Sequence, residues 1–272
     1  MVQDFTIPSG DYVLPARLFL PDGPVTRAYV LHAATGVPRD YYGKFAEWVA
    51  EKGYAILTYS YRSDGTAPSA LKTSRIMMQD WGITDQNAAL NALVDRFPET
   101  ELRAIGHSLG GFMTMFHDNA DRLSSLSAVC SGPAYWRRTP LRQRALAWSF
   151  WFALGPLLAR TKGYLPAKLL GGTEDLPLPA YMQWRRWCIN ADLHTSEWGK
   201  TLPQPNLDAF KGRLNLVAAS DDWLIAPPVV KDLARFYPEA QASFTELSAD
   251  KGPIGHMSVF RPRNAHHWPA LL

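Results

Sequence analysis

The 272-residue chain has only two cysteines, Cys130 and Cys188, 58 positions apart. That is too few for a disulfide framework and too distant for a metal or redox pair, so the chain reads as one suited to a reducing compartment. Neither sign of charge dominates: 28 basic against 25 acidic side chains leave a formal +3, which gives no global case for nucleic-acid binding. Long apolar runs are also missing. The longest, Ala145 to Ala159, has 15 residues and contains Gly155-Pro156, short of the roughly 20 that a spanning helix needs. The first residues include Asp4 and Asp11 and no apolar stretch, so neither a signal peptide nor a transmembrane start is expected, and a cytoplasmic location follows as the expectation. No repeat, low-complexity tract or Cys/His/Asp ligand cluster stands out, so no metal and no cofactor are expected.

With 47% hydrophobic and 12% aromatic residues the chain is a globular one, long enough for one large α/β domain with a small insertion. Strand patterns at 12–20, 28–31, 55–59, 102–105, 126–130, 213–219 and 242–247 alternate with helical spacing at 40–51, 85–97 and from Pro227 onward. Such alternation predicts a mostly parallel sheet covered on both faces. Helical character is expected after Ser108 through Phe112, Met115 and Phe116, and residues 62–79, with Gly65 and Pro68, are expected to form a surface loop. Between Tyr135 and Phe210 the rhythm breaks. The expected division is therefore a core of residues 1–134 and 211–272 carrying a cap of residues 135–210. The cap begins with Arg137, Arg138, Arg142 and Arg144 and is rich in Trp and Phe.

Gly106-His107-Ser108-Leu109-Gly110 fits G-x-S-x-G between a strand and a helix. Glycines two positions on either side allow the tight turn that presents a serine in a strained, exposed conformation, so Ser108 is the candidate nucleophile. A serine hydroxyl needs a base. His256, in the loop after the last expected strand, is the candidate; His107 should point away and serve positioning, and His32, His117 and His194 read as surface or structural residues. The acid that orients the imidazole is Asp222, with Asp221 the alternative, both just after the strand ending at Ala219. The amide of Leu109 and that of Ala34 are the expected donors to an oxyanion, with Ala33 competing for the second place.

These residues resemble the α/β-hydrolase superfamily. Within it, LHAATGVPRDYYGKFAEWVAEKGYAILTYSYR, GHSLGGF, SDDWLIAPP and GHMSVFR are similar to the predicted hydrolases related to the serine aminopeptidase and lysophospholipase-like group, over residues 25–132 and 210–261. The resemblance implies an eight-stranded sheet, a helical cap after the sixth strand, and the roles just given to Ser108, Asp222, His256, Leu109 and Ala34. Two departures bear on the pocket: His32-Ala33-Ala34 stands where many relatives have His-Gly, and Tyr61-Arg62-Ser63-Asp64-Gly65 follows their Arg-Gly-x-Gly only loosely.

The expected activity is hydrolysis of a carboxylic ester of a small, apolar acyl substrate through an acyl-enzyme. An amidase or peptidase using the same residues is one alternative. A partner-binding or membrane-surface protein using the aromatic and basic cap is the other, against the plainer expectation of a soluble cap with solvated arginines.

Overall fold

The computed structural model describes all 272 residues. Eight strands form one sheet: β1 (Val2–Ser9), β2 (Tyr12–Phe19), β3 (Arg27–His32), β4 (Ala55–Tyr59), β5 (Glu101–His107) and β6 (Leu123–Val129) come before the insertion. Within it β7 (Tyr164–Leu165) and β8 (Leu176–Pro177) form a separate ribbon, and β9 (Arg213–Ala219) and β10 (Gln241–Leu247) complete the main sheet. The order is β1-β2-β4-β3-β5-β6-β9-β10. Its first two pairings are antiparallel and the other five parallel. Strands buried on both faces read as continuous apolar runs, as in Ala55-Ile56-Leu57-Thr58-Tyr59, all buried.

The helices are α1 (Gly43–Glu51), α2 (Pro68–Leu71), α3 (Gln86–Arg96), α4 (Leu109–Phe112), α5 (Arg144–Trp148), α6 (Leu154–Lys162), α7 (Leu178–Ile189) and α8 (Pro227–Lys231). Phe45, Ala46 and Val49 give α1 a buried stripe. Phe45 meets Phe260 and Trp268 edge to face at 5.1 and 5.5 Å, which fastens the C-terminal segment Pro262–Leu271 to the core. Burying one such Phe stabilises the fold by about 1.5–3 kcal/mol.

Several expectations need correction. The first strand, β1, has no counterpart among the expected strands because the pattern along it is weak: only Ile7 and Ser9 are buried. Its partner is set by a two-residue turn at Gly10-Asp11, with Gly10 at φ +57° and Ser9 paired with Tyr12. Residues 62–79 are not wholly a surface loop, since Ile76 and Met78 are buried. Arg62 reaches down to the buried Asp85, bonding it at 2.7 Å, and this ion pair anchors the segment. Asp85 closes a π-helical turn (Asp80–Asp85) that leads into α3. The helix after Ser108 stops after one turn, followed by a 3₁₀ turn at Thr114–Phe116. There the Thr114 hydroxyl bonds back to Gly110 O at 3.0 Å, a side-chain bond that competes with continued helix.

The chain from β6 to β9 forms the inserted helical cluster. α5 passes through a π-helical turn at Ser149–Ala153 into α6, and α7 packs Trp184 against Trp151 at 5.0 Å. No helix in the protein is long and apolar enough to cross a membrane.

Candidate active site

Ser108 follows β5 at φ +54°, ψ −115°, a conformation that only glycine adopts without strain. The turn is fixed from both sides: Ser108 N–H donates to Val129 O at 2.9 Å, and the Ser131 hydroxyl donates to Ser108 O at 2.7 Å. Its flanking glycines are required by close approach. A Cβ at Gly110 would run into the backbone carbonyl of His32, and one at Gly106 into the backbone of Gly111.

Asp222 and His256 come from the loops after β9 and β10, at the same edge of the sheet as the turn. His256 Nε2 lies 3.0 Å from Ser108 Oγ, and His256 Nδ1 lies 2.8 Å from Asp222 Oδ2. The other carboxylate oxygen, Asp222 Oδ1, accepts the amides of Leu224 and Ile225 at 2.8 and 3.0 Å. His256 and Asp222 are buried, while Ser108 is partly open. Burial works against the charge on Asp222, but the His256 ring and those two amides outweigh it and hold the carboxyl below its usual range. Asp221 does something else. Its two oxygens accept the amides of Ile254 and Gly255 at 3.0 and 2.8 Å, pinning the loop that carries His256.

His107 points away from the serine, as expected, into a directional chain of hydrogen bonds. Ala34 N–H donates to Tyr42 Oη at 3.0 Å, Tyr42 Oη lies 2.9 Å from His107 Nδ1, and His107 Nε2 lies 2.9 Å from His256 O. One set of roles satisfies every link: the Tyr42 hydroxyl donates to Nδ1 and Nε2–H donates to the carbonyl. Burial keeps His107 neutral, its pKa lowered to about 3.

The amide of Ala34 is thus committed inside the fold. The amide of Leu109, which opens α4, has no intrahelical acceptor, and neither it nor the amide of Thr35, a residue on the walls of the cavities that Ser108 lines, has a protein acceptor. His32, His117 and His194 are buried rather than on the surface. His32 bonds Tyr59 Oη at 2.8 Å, His117 bonds Gln86 Oε1 at 3.0 Å, and His194 accepts from Trp198 at 3.0 Å. None of them reaches Ser108.

One ring nitrogen of His256, a carboxylate oxygen of Asp222 and Cys130 Sγ lie within 4.8 Å of one another. Burial raises the Cys130 thiol well above its usual pKa, and the other two groups already bond each other. The set suits proton handling better than ligation. Cys130, held at φ +47° at the end of β6, carried no sequence signal.

Ser108 sits in the wall of two cavities. One, of about 40 Å³, is lined by Leu109, Phe112, Trp187, Cys188, Leu193 and Ile225 among others. The second, of about 200 Å³, runs under the insertion past Thr35, Phe150, Leu176, Trp184, Trp223 and His256. It shares the walls Phe150, Leu170, Trp184, Trp223 and Leu224 with a further cavity of about 200 Å³. A larger cleft of about 770 Å³, between β1, α3 and residues 203–209, does not include Ser108. The cavities that Ser108 lines are smaller and more apolar than this cleft.

The family model described as "Serine aminopeptidase, S33" matches residues 38–171. No curated protein sequence matches the chain significantly. Among solved structures, a soluble variant of monoglyceride lipase from Saccharomyces cerevisiae superposes with a TM-score of 0.68 at 12% identity, covering 100% of this chain and 94% of that one. Est1E from Butyrivibrio proteoclasticus gives 0.56 at 15% identity, with 98% and 95% covered. An esterase from Pyrococcus furiosus gives 0.57 at 16%, with 99% and 88% covered. The chain therefore has the fold of the α/β-hydrolase superfamily, related to structures of esterase and lipase type.

Proposed function

We propose that the protein is a serine hydrolase that cleaves carboxylic esters through an acyl-enzyme, with Ser108, His256 and Asp222 as nucleophile, base and acid. The observation that carries this reading is the unbroken line from Ser108 Oγ through His256 to Asp222, at 3.0 and 2.8 Å. His256 takes the proton from Ser108 as the oxygen attacks the acyl carbonyl. Asp222 holds the ring with its proton on Nδ1 and stabilises the imidazolium that forms. The oxyanion faces the Leu109 and Thr35 amides; Thr35 replaces Ala34 in this role because Ala34 N–H is spent on Tyr42. His256 then protonates the departing alcohol, and activates the water that releases the acid.

An ester suits the chambers better than a peptide. Apart from His256, the only charged side chain on the walls of the second cavity is Glu174, and Lys168 pairs with it at 2.9 Å. A peptide terminus would find no uncompensated charge there. The family model's description favours the amidase alternative, but the apolar walls favour an ester with an apolar half.

Labelling with a fluorophosphonate tests the reading. The folded protein is expected to label and Ser108→Ala to stay unlabelled; a folded wild type that resists labelling refutes the serine-enzyme reading. A substrate panel then separates the branches, with ester turnover at least about 100-fold above that of matched amides expected, and the reverse order assigning the peptidase branch.

A further inference from the structure

Residues 122–173 contain no Asp or Glu, whereas residues 135–173 contain seven Arg or Lys. Arg138 is taken by Asp232 and Lys168 by Glu174; Arg137, Arg142, Arg144, Arg160 and Lys162 have no acidic partner. The same stretch holds eight of the chain's fourteen exposed large hydrophobic side chains, Leu141, Leu146, Trp148, Phe152, Leu154, Leu157, Leu169 and Leu170, with Leu141 and Leu169 each 76% exposed. Charge and aromatics are interleaved in contact. Arg137 lies over the Trp136 ring, Trp136 meets Phe152 at 5.1 Å, and Phe152 stacks on Trp148 at 6.2 Å.

These side chains are not scattered single exposures of the ordinary kind. Leu146, Leu154, Leu170 and Trp223, all exposed, line the cavity that shares walls with the chamber of Ser108. The apolar surface therefore borders a cavity that shares walls with the chamber of Ser108. Arg144 shares α5 with Leu146 and Trp148, and Arg160 and Lys162 share α6 with Leu154 and Leu157; exposed apolar side chains beside cations without acidic partners match one surface chemistry, hydrocarbon below a layer of anionic phosphates.

We propose that the insertion seats on an anionic lipid bilayer, with Trp148, Leu157 and their apolar neighbours entering the interface and the arginines meeting phosphates, and that apolar substrate passes from the bilayer to Ser108 past these cavity walls. The passage of substrate rests on the hydrolase reading; the seating does not. A soluble partner would be selected by its own carboxylates, whereas a bilayer supplies both the negative charge and the apolar phase without a complementary fold.

Sedimentation of the full chain with vesicles tests the seating. Vesicles of phosphatidylcholine and phosphatidylglycerol at 3:1 are expected to carry the protein down, and pure phosphatidylcholine to carry at least tenfold less. Arg142→Ala with Arg144→Ala lowers partitioning to the anionic vesicles about 30-fold, at about 1 kcal/mol for each cation. Trp148→Ser with Leu157→Ser also lowers it, while turnover of a water-soluble short ester and fluorophosphonate labelling stay at wild-type level, which shows the fold and Ser108 intact. Wild type left in the supernatant, equal binding to both vesicle types, or variants that bind as wild type each overturn the proposal. So does a dimer in analytical ultracentrifugation, without lipid, that Trp148→Ser with Leu157→Ser dissociates, because the patch would then belong to a second copy. Vesicle binding without fluorophosphonate labelling would leave the seating standing and refute the hydrolase reading instead.

Discussion

The neighbouring carboxylates Asp221 and Asp222 have different partners, and replacing each with the nearly isosteric asparagine separates what they do. In Asp222→Asn the carbonyl oxygen keeps the amides of Leu224 and Ile225, which turns the new NH₂ toward His256 Nδ1. The ring must then accept at Nδ1 and carry its proton on Nε2, the nitrogen 3.0 Å from Ser108 Oγ. A base already protonated on that side cannot take the serine proton, and a loss in kcat on the order of 10⁴ follows, about 5 kcal/mol of barrier. Asp221→Asn instead leaves one acceptor for two amides, at Ile254 and Gly255, and sets its NH₂ against the other. Losing one charge-assisted bond costs about 1.5–3 kcal/mol, at the low end for an exposed carboxylate, and loosens the His256 loop without changing its tautomer. Its kcat falls by about tenfold at most. Steady-state turnover of a short ester, rates of fluorophosphonate labelling and thermal unfolding of both variants measure this. Asp222→Asn active within tenfold of wild type, or Asp221→Asn the more damaging of the two, refutes the assignment.

Three further outcomes are expected. Ser108→Gly abolishes turnover yet raises stability by about 1 kcal/mol relative to Ser108→Ala, because Ser108 sits at φ +54°; urea unfolding checks it, and a glycine variant no more stable than the alanine one removes the claim of strain. Gly110→Ala destabilises by about 3 kcal/mol, since its methyl meets the His32 carbonyl and backbone cannot step aside; an unchanged thermal midpoint contradicts the close approach. His107, buried and lowered from 6.5 to about 3, is protonated first in the unfolded chain, so its neutral burial stabilises fully above pH 6.5 and is lost as pH falls toward 3. Between pH 8 and pH 5 that loss is about 2 kcal/mol, and His107→Gln should lose that much less over the same interval in urea unfolding. Equal losses would mean that His107 does not titrate as placed.

The parallel core was legible because its strands carry dense apolar runs and its turns carry glycine at fixed offsets. β4 and β9 begin and end where the pattern does, and Gly106 and Gly110 announce the turn at Ser108. The hairpin partner β1 was not, because an exposed edge strand buries too few side chains to print an alternation; the Gly10-Asp11 turn was the signal available. Ala34 shows a different limit. Residues before and after β3's end can be counted from the sequence, but that the hydroxyl of Tyr42, eight positions on, accepts Ala34 N–H cannot be read there. The buried chain from Tyr42 through His107 to His256 O joins residues far apart in sequence, and no local pattern encodes it. Asp222 is the acid expected from the sequence and Asp221 its alternative, but order along the chain does not separate adjacent letters; the direction of each side chain does.

The unequal chambers on either side of Ser108 have a consequence for what leaves the protein. An ester has two halves, and the serine attacks where they join. The small chamber, about 40 Å³, has room for only a few heavy atoms, while the other is about 200 Å³ and shares walls with a further space of the same size. For the proposed hydrolase the scissile bond therefore lies near one end of its substrate. On that reading the expected substrate gives one short product and one long one, the cut falling at a terminus and not in mid-chain.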